Sequence, residues 1–262
     1  RGVSLSATLL CVNHPLMTRR RLWAVLLLTL VASPACRRGA APVATPAERP
    51  NVLLVTIDTL RADRVGCYGH ASAATPVLDA LAARGVRFET ADVYVPLTGP
   101  SLASTLTGLG PPGPAHVQSG AEDFRQAGYR TAAFVSAFPL DRRFGFDRGF
   151  DVYDDHLPKG HDSRRTPYVE RFADGTTDAV LRWLEAPPGP PGPPFFLWVH
   201  YYDPHAPYEP PGELAARFRT APYDGEVAFA DQQLGRLLHA LDERGLLAQT
   251  LVLAMSDHGE GL

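Results

Sequence analysis

Two apolar runs, far apart in the chain, each end on residues suited to holding a metal. Asn51-Val52-Leu53-Leu54-Val55-Thr56-Ile57 leads into Asp58, and Thr250-Leu251-Val252-Leu253-Ala254-Met255-Ser256 leads into Asp257-His258. Two carboxylates and an imidazole make a site for a divalent cation. Between them, in Pro96-Leu97-Thr98-Gly99-Pro100-Ser101-Leu102, a hydroxyl precedes a predicted helix start. A cation, a hydroxyl and a helix N-terminus together suit hydrolysis or transfer of an anionic ester.

These groups need elements that bring them together. Runs of β-branched and aliphatic residues read as central strands of a parallel sheet. Such sheets bind ligands at the carboxyl ends of their strands. Asp58, Asp257 and His258 can therefore converge although 199 positions separate the two aspartates. Strands are predicted over residues 52–58, 131–136, 195–200 and 250–256. Helices are predicted over 76–84, from Ser101 to at least Leu106, and over 120–127, 168–185 and 223–244. Thr75-Pro76 is a start signal, with Thr75 as cap, and Gly85 and Gly245 are stops. Strands alternating with helices imply an α/β fold with a parallel-type central sheet flanked by helices.

The chain has 262 residues, 45% hydrophobic and 20% charged, with a formal net charge of −3. That charge gives no nucleic-acid surface, so nucleic acid is not an expected partner. Met17 opens a change of composition. Arg19-Arg20-Arg21, an apolar stretch from Leu22 to Val31, and Ala32-Ser33-Pro34-Ala35-Cys36 form a secretory signal peptide. Residues 1–16 then read as upstream translation, 17–36 as the signal, 37–49 as a flexible linker and 50–262 as the catalytic domain. Cys36 stands where a bacterial lipoprotein carries its lipid, although Ser33 departs from that pattern; cleavage near Ala35 and an uncleaved anchor are the alternatives. Export to the periplasm or cell envelope is expected, with a membrane tether through Cys36 or the signal anchor. Of the three cysteines only Cys67 falls in the domain, so no disulfide can form within it. Pro187 to Pro194, six prolines in eight residues, reads as a surface connector.

The motifs resemble those of the sulfatase family within the alkaline-phosphatase superfamily. The matching pieces are Arg49 to Asp58, Thr98 to Gly108, Gly128-Tyr129-Arg130-Thr131, His200 to Tyr208, Tyr223-Asp224-Gly225-Glu226-Val227, and Ser256 to Glu260. The resemblance implies an alkaline-phosphatase-like fold that continues beyond Leu262 in other members, so the chain reads as the front portion of a catalytic domain, inactive or poorly folded alone. It also implies one divalent metal, held by Asp58, Thr98, Asp257 and His258. Imidazole with few carboxylates favours Zn²⁺ or Mn²⁺, with Ca²⁺ the alternative.

Departures from the family pattern sharpen the expected chemistry. Thr59 stands where many members have a second aspartate. Thr98 aligns with the nucleophile that most members oxidise from Cys or Ser to formylglycine, and threonine cannot undergo that change. Leu102 replaces the arginine of the same motif, and Phe134 to Pro139 lacks the family's lysine and histidine. Related enzymes use a metal-bound threonine directly, so Thr98 is the expected nucleophile; the alternative is that it only caps the helix from Ser101. His205, in Asp203-Pro204-His205, matches a histidine that contacts the ester oxygens or protonates the leaving group. His200 is expected to be buried and hydrogen-bonded rather than a ligand. The leading reading is a metal-dependent hydrolase or transferase of sulfate or phosphate esters. A sulfatase working without formylglycine and an inactive sulfatase-like binding protein are the alternatives.

Overall fold

The computed structural model describes residues 10–13, 49–110, 118–157, 170–185 and 192–261. The signal segment, Cys36, nearly all of the linker and most of the proline-rich connector lie outside the described residues. The strands are β1 (Leu10–Asn13), β2 (Asn51–Ile57), β3 (Val86–Arg87), β4 (Arg130–Phe134), β5 (Val152–Asp154), β6 (Phe195–Tyr201) and β7 (Thr250–Ser256). The helices are α1 (Pro76–Arg84), α2 (Thr98–Thr107), α3 (Gly120–Gln126), α4 (Ala173–Glu185), α5 (Glu213–Arg217) and α6 (Pro222–Glu243).

One sheet runs in the order β3-β1-β7-β2-β6-β4-β5. Its five consecutive strands from β7 to β5 are parallel, while β1 and β3 add antiparallel pairs beyond β7. The central position of β2 and β6 explains their composition. Both are buried at every residue, as strands covered on two faces must be, whereas burial along β7 alternates between full and partial. Side chains alternate between the faces. Leu53, Val55, Ile57, Leu197 and Val199 enter one core with Leu234, Leu237 and Leu241 of α6; Val52, Leu54, Phe196 and Trp198 enter a second with Leu102 of α2 and Phe150.

One predicted cap and two predicted helix starts differ in the structure. Thr75 makes no side-chain cap on α1. Asp231, from α6, caps it instead, accepting from the Val77 and Leu78 amides at 3.1 and 2.9 Å. Helix α2 begins at Thr98, three residues before Ser101. Helix α4 begins at Ala173, whose amide donates to buried Asp203 Oδ2 at 2.9 Å. Strand β4 stops at Phe134, two residues short of the predicted end, and Ser136 beyond it donates its hydroxyl to the His200 carbonyl. No described helix is long and apolar enough to cross a membrane.

Candidate metal centre

The pairing of β2 with β7, Ile57 opposite Ser256, brings the two acidic strand ends side by side. The Asp58 amide still donates to the Tyr201 carbonyl at 2.9 Å, so its carboxyl projects from the last rung of the sheet. Asp58, Asp257 and His258 are all buried, and each offers one ligand atom within 4.8 Å of the others. His258 Nε2 lies 3.6 Å from Asp58 Oδ1 and 3.6 Å from Asp257 Oδ2. Thr98 Oγ1 lies 3.2 Å from Asp58 Oδ2 and 3.4 Å from His258 Nε2. The structure thus brings the side chains of Asp58, Thr98, Asp257 and His258 together at the end of β2 and β7.

Each group is aimed by its surroundings. Thr98 sits in the first turn of α2, and the residue before the helix, Leu97, makes no side-chain cap. The Thr98 hydroxyl therefore faces the cluster instead of capping a helix from Ser101. One turn on, Ser101 Oγ donates to the Asp257 carbonyl at 2.6 Å and ties α2 to the end of β7. His258 Nδ1 lies 2.9 Å from the Gly259 carbonyl. A carbonyl only accepts, so Nδ1 carries the ring proton and Nε2 turns a lone pair to the cluster, the tautomer a metal ligand needs.

Asp257 Oδ1 accepts from the Thr59 amide at 3.1 Å and the His258 amide at 2.8 Å, while its Oδ2 is buried without a partner. Thr59 reaches this contact with φ of 53°, the one non-glycine residue with positive φ among the described residues. Tyr223, at the start of α6, holds it there by donating to the Thr59 carbonyl at 2.8 Å. Arg61 then bridges to the other ligand loop, donating to the Glu260 carbonyl at 2.7 Å. Sequence reading missed Thr59, Ser101 and Tyr223 as supports. Tyr223 and Ser101 lie within the family-like motifs at 223–227 and 98–108, which is the signal the sequence offered.

The two carboxyls differ. Burial raises the Asp58 carboxyl, but the neighbouring imidazoles, His200 first and then His258 and His205, bring it below the ordinary value. Burial, and then repulsion from Asp58, hold Asp257 well above it. Alone, the pair relieves its repulsion by keeping a proton. A cation would replace that proton and satisfy the orphaned Oδ2, so the donor set fits a divalent metal.

His205 is not brought into the cluster. It lies half-buried in the loop after β6, with Nδ1 2.7 Å from the Ala206 carbonyl and its ring stacked on Tyr202. His200 is fully buried, with Nδ1 2.8 Å from Thr56 Oγ1 and Nε2 3.5 Å from Asp58 Oδ2.

Fold and site together define an α/β protein with a carboxylate, imidazole and hydroxyl centre at the carboxyl edge of its sheet. The chain belongs to the sulfatase family: the family model named Sulfatase matches residues 50–262. Among curated proteins it is 30% identical to human arylsulfatase A over 274 residues and 25% identical to the arylsulfatase of Clostridium perfringens over 307. Each match covers 81% of this chain, which spans 52% and 63% of the length of those two relatives. Among solved structures, the phosphonate monoester hydrolase of Agrobacterium radiobacter shares the fold, with a TM-score of 0.60 and 24% identity over 81% of this chain and 63% of that one.

Proposed function

We propose that this chain carries the nucleophile and metal ligands of an ester hydrolase of the sulfatase family, acting on sulfate or phosphate esters through Thr98. The observation that carries the reading is the approach of Thr98 Oγ1 to Asp58 and His258, at 3.2 and 3.4 Å, in the first turn of α2. Asp58, Asp257, His258 and Thr98 would hold a divalent cation, which would supply the charge that favours ionised threonine and balances the anionic ester. Zn²⁺ or Mn²⁺ suits these ligands better than Ca²⁺. Asp58 accepts the hydroxyl's hydrogen bond and aligns the attacking oxygen. The free amides of the first turn of α2 add positive partial charge where the ester oxygens gather. In this reaction Thr98 Oγ1 gives up its proton to solvent and bonds to phosphorus or sulfur as the bond to the leaving oxygen breaks. His205, from the neighbouring loop, protonates that oxygen; water then cleaves the Thr98 ester and restores the hydroxyl.

Phosphate esters are the favoured substrates. Leu102, at the arginine position of the family motif, is wholly buried in the core. Ala137 and Phe138 lie in the stretch that lacks the family's lysine and histidine. A second reading, sulfate ester hydrolysis without formylglycine, draws support from the two arylsulfatase relatives. Export by residues 17–36, with Cys36 as tether, is proposed on sequence alone. The test is turnover of matched p-nitrophenyl phosphate and sulfate by the full-length protein. Thr98→Ala should abolish turnover while Zn²⁺ still binds, and Thr98→Ser should keep part of the rate. An alanine variant at the wild-type rate overturns the mechanism, and a preference for sulfate selects the second reading.

A further inference from the structure

One polar chain runs from the apolar core to the metal centre without meeting solvent. Trp198 and His200 alternate along β6 and so share a face, and Thr56 pairs with His200 across the sheet. Trp198 Nε1 donates to Thr56 Oγ1 at 3.0 Å. Thr56 Oγ1 is in turn 2.8 Å from His200 Nδ1. His200 Nε2, beyond it, makes no hydrogen bond and lies 3.5 Å from Asp58 Oδ2, just outside a good hydrogen-bond length. Thr56 and His200 are fully buried, and so is Asp58.

Counting protons fixes the direction of this chain. An indole nitrogen only donates, so Thr56 Oγ1 accepts from Trp198. The threonine proton is then free for one acceptor, and His200 Nδ1 is the group in reach. An imidazole that accepts at Nδ1 carries its proton on Nε2 when neutral. That proton faces Asp58. The opposite tautomer leaves the threonine proton unused and turns a second lone pair on Asp58, at the cost of a buried unmade hydrogen bond.

We propose that His200 is a positioning residue of the metal centre, locked by Thr56 and Trp198 in the Nε2–H tautomer so that it donates to Asp58 Oδ2 and fixes how Asp58 presents Oδ1 beside His258. His200 does not touch the ester and is not itself a ligand. It does for a carboxylate ligand what a carboxylate commonly does for a ligand histidine, orienting it from behind, an effect worth about 10–100-fold in metal affinity. The inference rests on the metal centre proposed above.

Calorimetric titration of the full chain with Zn²⁺ tests both readings. His200→Leu should weaken Zn²⁺ binding about 10–100-fold, while His200→Gln, whose amide can donate from near the Nε2 position, should recover most of the affinity. Melting in excess chelator shows whether the variants are folded. Independently, nitrogen-15 spectra of the wild-type imidazoles should show His200 protonated at Nε2 and bare at Nδ1, and Thr56→Val should erase that preference. Wild-type binding with an unaffected leucine variant overturns this inference alone, as does an Nδ1–H tautomer. Failure of the wild type to bind Zn²⁺ or Mn²⁺ overturns the metal centre, and this inference with it.

Discussion

Two pairs of buried carboxyl groups sit near the same edge of the sheet, and they are built for opposite purposes. Asp58 and Asp257, at the ends of β2 and β7, face an imidazole lone pair and the Thr98 hydroxyl. Asp203, after β6, and Glu226, on α6, are equally hidden, at 5% and 2% exposure. Burial pushes the Asp203 carboxyl up to about 7, and burial with the charge of Asp203 pushes Glu226 up to about 9. Asp203 spends one oxygen capping α4. Glu226 spends one on the Glu209 amide at 2.6 Å, which anchors the loop that carries His205. The nearby His205 turns Nδ1 to its own loop carbonyl. Buried acid alone is therefore not a metal site. What distinguishes the first pair is the company it keeps, an aimed Nε2 and the Thr98 hydroxyl; a buried oxygen without a partner is common to Asp257 Oδ2 and Glu226 Oε2. The first pair is arranged for charge, the second for protonation.

The largest expected effect breaks the first pair. Saturating Zn²⁺ at 100 times its Kd should stabilise the wild type by about 2.7 kcal/mol. Asp257→Asn should abolish that response, yet melt higher than the metal-free wild type at neutral pH, because a buried carboxyl beside Asp58 is gone. A zinc-induced shift of full size in this variant would remove Asp257 from the ligand set.

Glu226→Gln addresses the second pair. The folded state holds the Glu226 proton more tightly than the unfolded chain, so its stabilising contribution is complete below the ordinary value of 4.5 and is lost as pH rises towards 9. At pH 8 the glutamine variant should be more stable by at least about 1 kcal/mol, the equivalent of less than one pKa unit. The gain should vanish near pH 4, and the zinc response should stay as in wild type. Denaturant melts at the two pH values decide, and an equal gain at both would show that Glu226 is not held protonated.

The smallest effect separates the backbone of the first site from its side chains. A β-branched residue at positive φ is strained, and asparagine adopts that region more readily. Thr59→Asn should thus gain up to about 1 kcal/mol while keeping the amide bond to Asp257. Lost stability would mean that the buried Thr59 hydroxyl contributes more than the strain costs.

How much of this was legible in the sequence depended on range. The apolar runs of β2, β6 and β7 and the spacing of α6 were plain, because burial on both faces or along one stripe writes itself into composition. Strand β5, three residues long with Val152 exposed, carries no such pattern. Nor does β3, of two residues. The cap on α1 comes from 154 residues away, so Thr75 was the natural but mistaken choice. Asp58, Asp257 and His258, which follow recognisable strands, and Thr98, which opens a helix, stand out as candidates in the sequence because they flank such elements. His200 was readable as a buried histidine but not as a partner of Asp58, since that relation exists only once β2 and β6 pair in register. His205 matched a motif; the structure turns its Nδ1 to the Ala206 carbonyl, a loop contact no sequence pattern foretells.

The pairing of Asn51 with Thr250 through Ile57 with Ser256 joins residues 199 apart, so the candidate metal centre depends on one of the most distant contacts among the described residues. Contacts of such separation carry a large loop-closure cost and tend to form late. A bound cation would then stabilise the finished protein far more than the barrier state that precedes it. Its influence belongs to the rate of falling apart: chelation should steepen unfolding in a stopped-flow chevron and leave the refolding limb nearly where it was.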